Sequence, residues 1–107
     1  MEAKTVVEQL RQAKARIQAG WCKNTLSQRR QVGGEWQMQY CAVGALLEPA
    51  SMCVLQETEA HRCLRESLPK PNHAYHSVAT YNDRPDTTLV DIERLYDRAI
   101  ALAAQSA

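Results

Sequence analysis

Four cysteines, three histidines and an adjacent Asn-Asp pair are the side chains of this sequence whose types could do chemistry. A thiol near the first turn of a helix feels the positive end of the helix dipole, which lowers its pKa and favours the nucleophilic thiolate. Cys41 stands at the head of the run Tyr40-Cys41-Ala42-Val43-Gly44-Ala45-Leu46-Leu47 and is the candidate. His61, His73 and His76 are the bases that could serve it. The run that follows Cys41 is wholly apolar or small, however, and such surroundings raise a thiol pKa and exclude substrate. Cys41 therefore reads as a small apolar residue at the base of a buried helix. No catalytic residue is assigned.

Metal binding is the second chemistry. The cysteines at 22, 41, 53 and 63 form no C-x-x-C pair, and only His61 lies close to one of them, Cys63. Structural zinc takes closely spaced ligand pairs, so neither a metal nor another cofactor is expected. The third is Tyr81-Asn82-Asp83. An Asn and an Asp before a helix commonly hydrogen-bond their own backbone. Asp83 is further expected to cap the orphan amides of the helix start near Cys41.

The elements that must position these residues follow from periodicity. Val6, Leu10, Ala13 and Ile17 recur at helical spacing, with Glu8, Arg11, Gln12 and Arg16 falling elsewhere. Thr5 and Glu8 could form a capping box. Gly20 is expected to end this helix in the left-handed conformation, with Trp21 folding back on its end. Trp36, Met38 and Tyr40 alternate with Glu35, Gln37 and Gln39 after a Gly33-Gly34 turn, which is the period of a strand. Such a hairpin needs to lie on helices or pair elsewhere, because two strands alone are marginal. A short buried helix over Cys41 to Leu47 is closed by Pro49. Ser51 opens a third helix over about residues 52–68, with Cys53, Ala60, Leu64 and Ser67 on one stripe. Pro69 and Pro71 end it. Ser77 to Tyr81 makes about one helical turn, and Asn82 to Asp86 a turn of chain. Thr88 with Asp91 caps the last helix, whose apolar face is Leu89, Ile92, Tyr96, Ala99, Ile100 and Ala103. Gly44, inside a short helix, implies close approach of Trp21 or the first helix. The fold class is mainly α: one domain over residues 1–107, a compact bundle of about four helices with a candidate short β-hairpin at about 25–40.

Composition bounds the rest. At 107 residues there is room for one core, and without Phe it is built from Leu, Ile, Val and Ala. The net charge of +1 hides an asymmetry: residues 1–30 carry seven basic and two acidic side chains, the remainder six and ten. No stretch approaches the ~20 apolar residues that span a bilayer. The N-terminus is charged rather than carrying the apolar core of a signal peptide. The expected setting is cytoplasmic, with reduced thiols and no membrane contact.

Gly20-Trp21-Cys22, Tyr40-Cys41-Ala42-Val43-Gly44-Ala45-Leu46, Tyr81-Asn82-Asp83 with Thr88, and Asp97-Arg98-Ala99-Ile100 together resemble a family of small bacterial and phage proteins known only as a domain of unknown function. The resemblance runs from about Val6 to Ala101. Its members have Gly-Trp-Cys-x-Gly, an aromatic-Cys-x-x-Gly-Ala-Leu block and an aromatic-Asn-Asp turn. This chain has Asn24 where they often have Gly, Tyr40 and Tyr81 where Trp is common, and Pro85-Asp86-Thr87 for Pro-Gly-Arg. The resemblance implies a structural core motif of Trp21, Cys22, Tyr40, Cys41, Gly44, Tyr81, Asn82, Asp83 and Thr88. It also implies an accessory, host-modulating role of phage or mobile-element type, including binding to a defence system, and supplies no activity.

The sequence thus favours a non-enzymatic protein-interaction module. Its partner surface is expected around Lys23, Arg29, Arg30, Lys70, His73 and Tyr75. Its rivals are a nucleic-acid binder using Lys14, Arg16, Lys23, Arg29 and Arg30 on phosphates, and a small Cys-dependent enzyme. Oligomeric state is left open. If Gly44 is a crossing point in the core, Gly44→Leu should abolish the cooperative unfolding transition seen by circular dichroism, while Cys41→Ala should leave function intact.

Overall fold

The computed structural model describes residues 3–25, 27–47, 59–69 and 77–105. Thr5, Lys70, Cys53, His73, Tyr75 and His76 are among the residues whose side chains lie outside this description, and with them the capping of the first helix and the start of the third. The element order is α1 (Ala3–Ala19), β1 (Ser27–Val32), β2 (Glu35–Tyr40), α2 (Gly44–Leu47), α3 (Glu59–Glu66), α4 (Val78–Asp83) and α5 (Leu89–Gln105). The domain is mainly α with one two-stranded antiparallel sheet. Five helices are described rather than about four, because α2 and α4 are separate helices of only a turn or two.

The first and last helices form the centre. Lys14 bonds Asp97 at 2.6 Å and Gln18 bonds Glu93 at 2.8 Å, so α1 and α5 run antiparallel side by side. Val6, Leu10, Ala13 and Ile17 of α1 are buried with Ile92, Leu95, Tyr96, Ala99 and Ala103 of α5. Ala60, Cys63 and Leu64 of α3 close the same cluster. Among the described residues Tyr96 is the largest fully buried side chain. The ion pair at the rim is exposed and contributes little to stability. The Thr88 amide and hydroxyl both bond the Asp91 carboxylate, and the Asp91 amide returns to the Thr88 hydroxyl, so the capping box starts α5.

Two expectations about the segment between α1 and α2 need correction. Gly20 is not left-handed: among the described glycines, positive φ occurs at Gly33 (60°) and Gly34 (86°). The Gly20 amide bonds back to both Arg16 and Ile17 carbonyls at 3.1 Å, a bifurcated end to α1. What requires glycine there is proximity, since a Cβ at position 20 would lie 2.5 Å from the Met38 carbonyl oxygen. The second correction concerns the hairpin's alternating face. Trp36 and Met38 share one side of β2 but remain 66% and 40% exposed. The hairpin is anchored through β2, where Trp21 pairs with Tyr40 in a parallel bridge and Gln37 bonds the Ala19 carbonyl, and Val32 and Trp36 beside the turn stay exposed.

Gly33 and Gly34 form the tight two-residue connection between Val32 and Glu35, and positive φ at both matches the twist of the flanking strands. The two kinds of glycine should separate by mutation. Gly20→Ala forces backbone to move and should cost about 1–3 kcal/mol in urea unfolding. Gly33→Ala, whose Cβ would meet nothing within 4 Å, should cost about 1 kcal/mol through φ alone.

Candidate functional site

The polar centre of the molecule is the side chain of Asn82, fully buried in the last turn of α4. Tyr40 donates its amide to the Gly20 carbonyl at 2.8 Å and accepts from the Cys22 amide at 3.1 Å. These are two rungs of a parallel ladder, and the next rung would run from the Ala42 amide to the Cys22 carbonyl. Asn82 occupies that rung. Its Oδ1 accepts from Ala42 N at 3.0 Å, and its Nδ2 donates to Cys22 O at 3.1 Å. Oδ1 also accepts from Trp21 Nε1 at 2.7 Å, and Nδ2 donates to Asp83 Oδ1 at 3.0 Å. The carboxamide, itself a peptide-like group, is inserted into the ladder with all four of its hydrogen-bonding positions used.

Neighbouring contacts support that group. Asp83 Oδ1 accepts from the Asn24 amide at 2.8 Å, at a bend where Asn24 has φ 68°. Asn tolerates this left-handed conformation better than most residues. Lys23 Nζ donates to the Arg84 carbonyl at 2.5 Å and lies 5.4 Å from the Trp21 ring centre. Tyr96 donates its hydroxyl to the Ala42 carbonyl at 2.5 Å, and Thr87, also buried, donates to the Tyr81 carbonyl at 2.7 Å. Arg16 reaches the Ala45 carbonyl at 3.0 Å. The start of α2 is therefore held from three elements.

The expected cap by Asp83 on the Cys41 helix is corrected by one residue: Asn82 reaches that segment and Asp83 turns towards Asn24. Asn82 and Asp83 are also helical, with the turn beginning at the C-cap Arg84 rather than at Asn82. Trp21, Cys22, Tyr40, Cys41, Asn82 and Asp83 gather around this network, and Tyr81 is buried beside it. Gly44 is buried in α2 and donates its amide to Cys41 Sγ at 3.3 Å, so the thiol caps the short helix as well as filling space. Thr88 stands apart at the start of α5. Sequence reasoning missed Thr87 and the Tyr96 hydroxyl; a polar residue next to a capping box and a Tyr on an apolar stripe were their only signals.

The three described thiols, Cys22, Cys41 and Cys63, all have raised pKa values and stay protonated. Burial, then the neighbouring Cys41 and Asp83, push Cys22 up to about 11. Burial raises Cys41, against a smaller opposing effect of the Gly44 and Val43 amides, and it raises Cys63 too. Among the described residues no group of three or more His, Cys, Asp or Glu is placed to hold a metal ion.

Of the expected partner-binding residues, Lys70, His73 and Tyr75 lie outside the described residues. Lys23 is committed to the Arg84 carbonyl. Arg29 and Arg30 are exposed on β1 and point to opposite faces of the hairpin. The Arg29 guanidinium lies 5.5 Å from the Trp36 ring centre, beside Met38, which is paired across from it.

These observations define a small helical domain that pins a projecting, amphipathic hairpin by one buried carboxamide. The chain belongs to DUF6197, a family of unknown function whose model matches residues 1–102. Comparison with the curated proteins found no match, and comparison with the solved structures found none. No described helix is long and apolar enough to cross a membrane.

Removing the carboxamide leaves the Cys22 carbonyl, the Ala42 amide and the Trp21 indole without their partner, so Asn82→Ala should cost about 3 kcal/mol or more in chemical unfolding. Asn82→Asp adds a buried carboxyl beside Asp83. Burial and that neighbouring charge raise its folded-state pKa above the unfolded value, so the folded state binds more protons. Its stability should rise as pH falls between about 7 and 5, and the unfolding midpoint followed against pH checks this.

Proposed function

We propose that this domain is a non-enzymatic protein-interaction module that presents the β1–β2 hairpin to a partner. The observation that carries the reading is the placement of exposed apolar side chains. Of the four large hydrophobics exposed among the described residues, Val32, Trp36 and Met38 sit on this one hairpin, with Trp36 at 66%. Tryptophan and arginine side by side on a projecting element are the residue types that dominate protein-binding energetics. Trp36 and Met38 share one face of the hairpin and Val32 lies on the other, and an exposed apolar face rimmed by polar side chains is a common mark of a binding surface.

The rivals fare less well on specific contacts. Of the phosphate-binding strip of Lys14, Arg16, Lys23, Arg29 and Arg30, the first three are engaged with Asp97, the Ala45 carbonyl and the Arg84 carbonyl, which leaves the two exposed hairpin arginines. A thiol enzyme would need an accessible thiolate, whereas Cys22 and Cys41 are buried with raised pKa values. The resemblance noted above adds a setting, an accessory protein of phage or mobile-element type that modulates a host or defence system by binding.

Trp36→Ala should leave the unfolding midpoint within about 0.5 kcal/mol of the wild type, because the ring is mostly exposed. It should weaken binding to a partner purified from the source cell at least about tenfold, read by calorimetric titration. Unchanged affinity would remove the hairpin from the interface.

A further inference from the structure

The strand pairing identifies which backbone groups of the hairpin are left over. Tyr40 turns its amide and carbonyl away from β1, to Gly20 and Cys22. Its cross-strand partner is Ser27, so Ser27, Arg29 and Gln31 likewise turn their backbone groups away from β2, while Gln28, Arg30 and Val32 face it. The Ser27 carbonyl accepts the Thr25 hydroxyl at 3.2 Å. The outer amides and carbonyls of Arg29 and Gln31 form an exposed edge with no protein partner among the described residues. Strand edges of this kind are templates for pairing with a further extended chain.

The side chains on that edge specify its charge. Arg29 and Arg30 are consecutive, so one stands on each face of the sheet, and Glu35 is the one acidic residue of the hairpin. A strand added beside β1 passes both guanidinium groups, and two consecutive carboxylates on it meet one each. Both arginines are exposed. A second copy of this chain is disfavoured at the same edge, because β1 against β1 brings the arginines of the two copies together.

We infer that the outer edge of β1 takes up an extended acidic segment of a partner protein as a third strand. Backbone bonds to Arg29 and Gln31 hold it, and a consecutive pair of Asp or Glu residues faces Arg29 and Arg30. This rests on the reading of the hairpin as a protein-binding element and names the chemistry of what it binds.

The probe is a short fluorescent peptide of alternating Thr and Val with a central Asp-Asp-Glu-Glu run, titrated against the intact protein by anisotropy. Its counterpart carries Asn-Asn-Gln-Gln instead. The acidic peptide should bind at least about tenfold more tightly than the amide counterpart, and less tightly as salt is raised. Arg29→Glu with Arg30→Glu should abolish that preference. Gln31→Pro removes an outward amide and leaves the β1–β2 ladder intact, so it should weaken the acidic peptide at least about tenfold with an unchanged unfolding midpoint. In amide NMR, the Arg29 and Gln31 signals should shift on titration and exchange more slowly with solvent.

Equal binding of both peptides, or full affinity in Gln31→Pro, overturns the inference. So does preferential, Arg29- and Arg30-dependent capture of a single-stranded oligonucleotide, or concentration-dependent dimerisation lost in Gln31→Pro. Weak acidic-peptide binding together with loss of the purified partner in Trp36→Ala sinks strand addition while the hairpin remains the interface. Weak acidic-peptide binding together with full affinity for the purified partner in Trp36→Ala sinks both readings.

Discussion

One side-chain amide decides how this domain is joined. The Asn82 carboxamide takes the place of a peptide group in the ladder between Cys22 and Ala42, and receives the Trp21 indole as well. A buried amide is expensive unless every donor and acceptor is used, and here all four are. The same chemistry that makes the group costly when incomplete makes it specific when complete. An Asp in its place lacks the donors, and a Leu lacks everything. The end of α1, the base of the hairpin, the start of α2 and the end of α4 therefore meet in a single geometry.

The molecule then divides into a part with many reinforcing contacts and a part with few. Below the Trp21–Tyr40 bridge, apolar stripes on α1, α3 and α5 bury one another, and Tyr96 ties the α5 stripe to Ala42 through its hydroxyl. Above it, the hairpin has side-chain bonds such as Gln28 to Gln39 and Gln37 to the Ala19 carbonyl, but little apolar cover. Burial at the base fixes where the strands start. The tip is left to present Trp36, Met38 and Arg29 to solvent.

The parts of this arrangement written in local pattern were legible in the sequence. The stripes of α1 and α5, the Thr88–Asp91 box and the Gly33-Gly34 turn each follow from spacing over a few residues. What escaped depends on long-range placement. Asn82 and Asp83 differ by about 100° around a helix, and no local rule says which faces Cys22 and Ala42. The requirement at Gly20 arises from the Met38 carbonyl, eighteen positions away, and looks locally like an ordinary helix end. Alternation at Trp36, Met38 and Tyr40 identifies one face of a strand, but whether a helix covers it is a property of the assembled fold.

The antiparallel pairing of α1 with α5 also governs when the domain can form. Its central packing joins the earliest helix to the last, so the ring of contacts cannot close during synthesis until α5 has left the ribosome. Until then the stripe of Val6, Leu10, Ala13 and Ile17 has, of the described helices, only α2 and α3 to pack against. Completion of the core is therefore a late step, since it waits on the element furthest along the chain from α1.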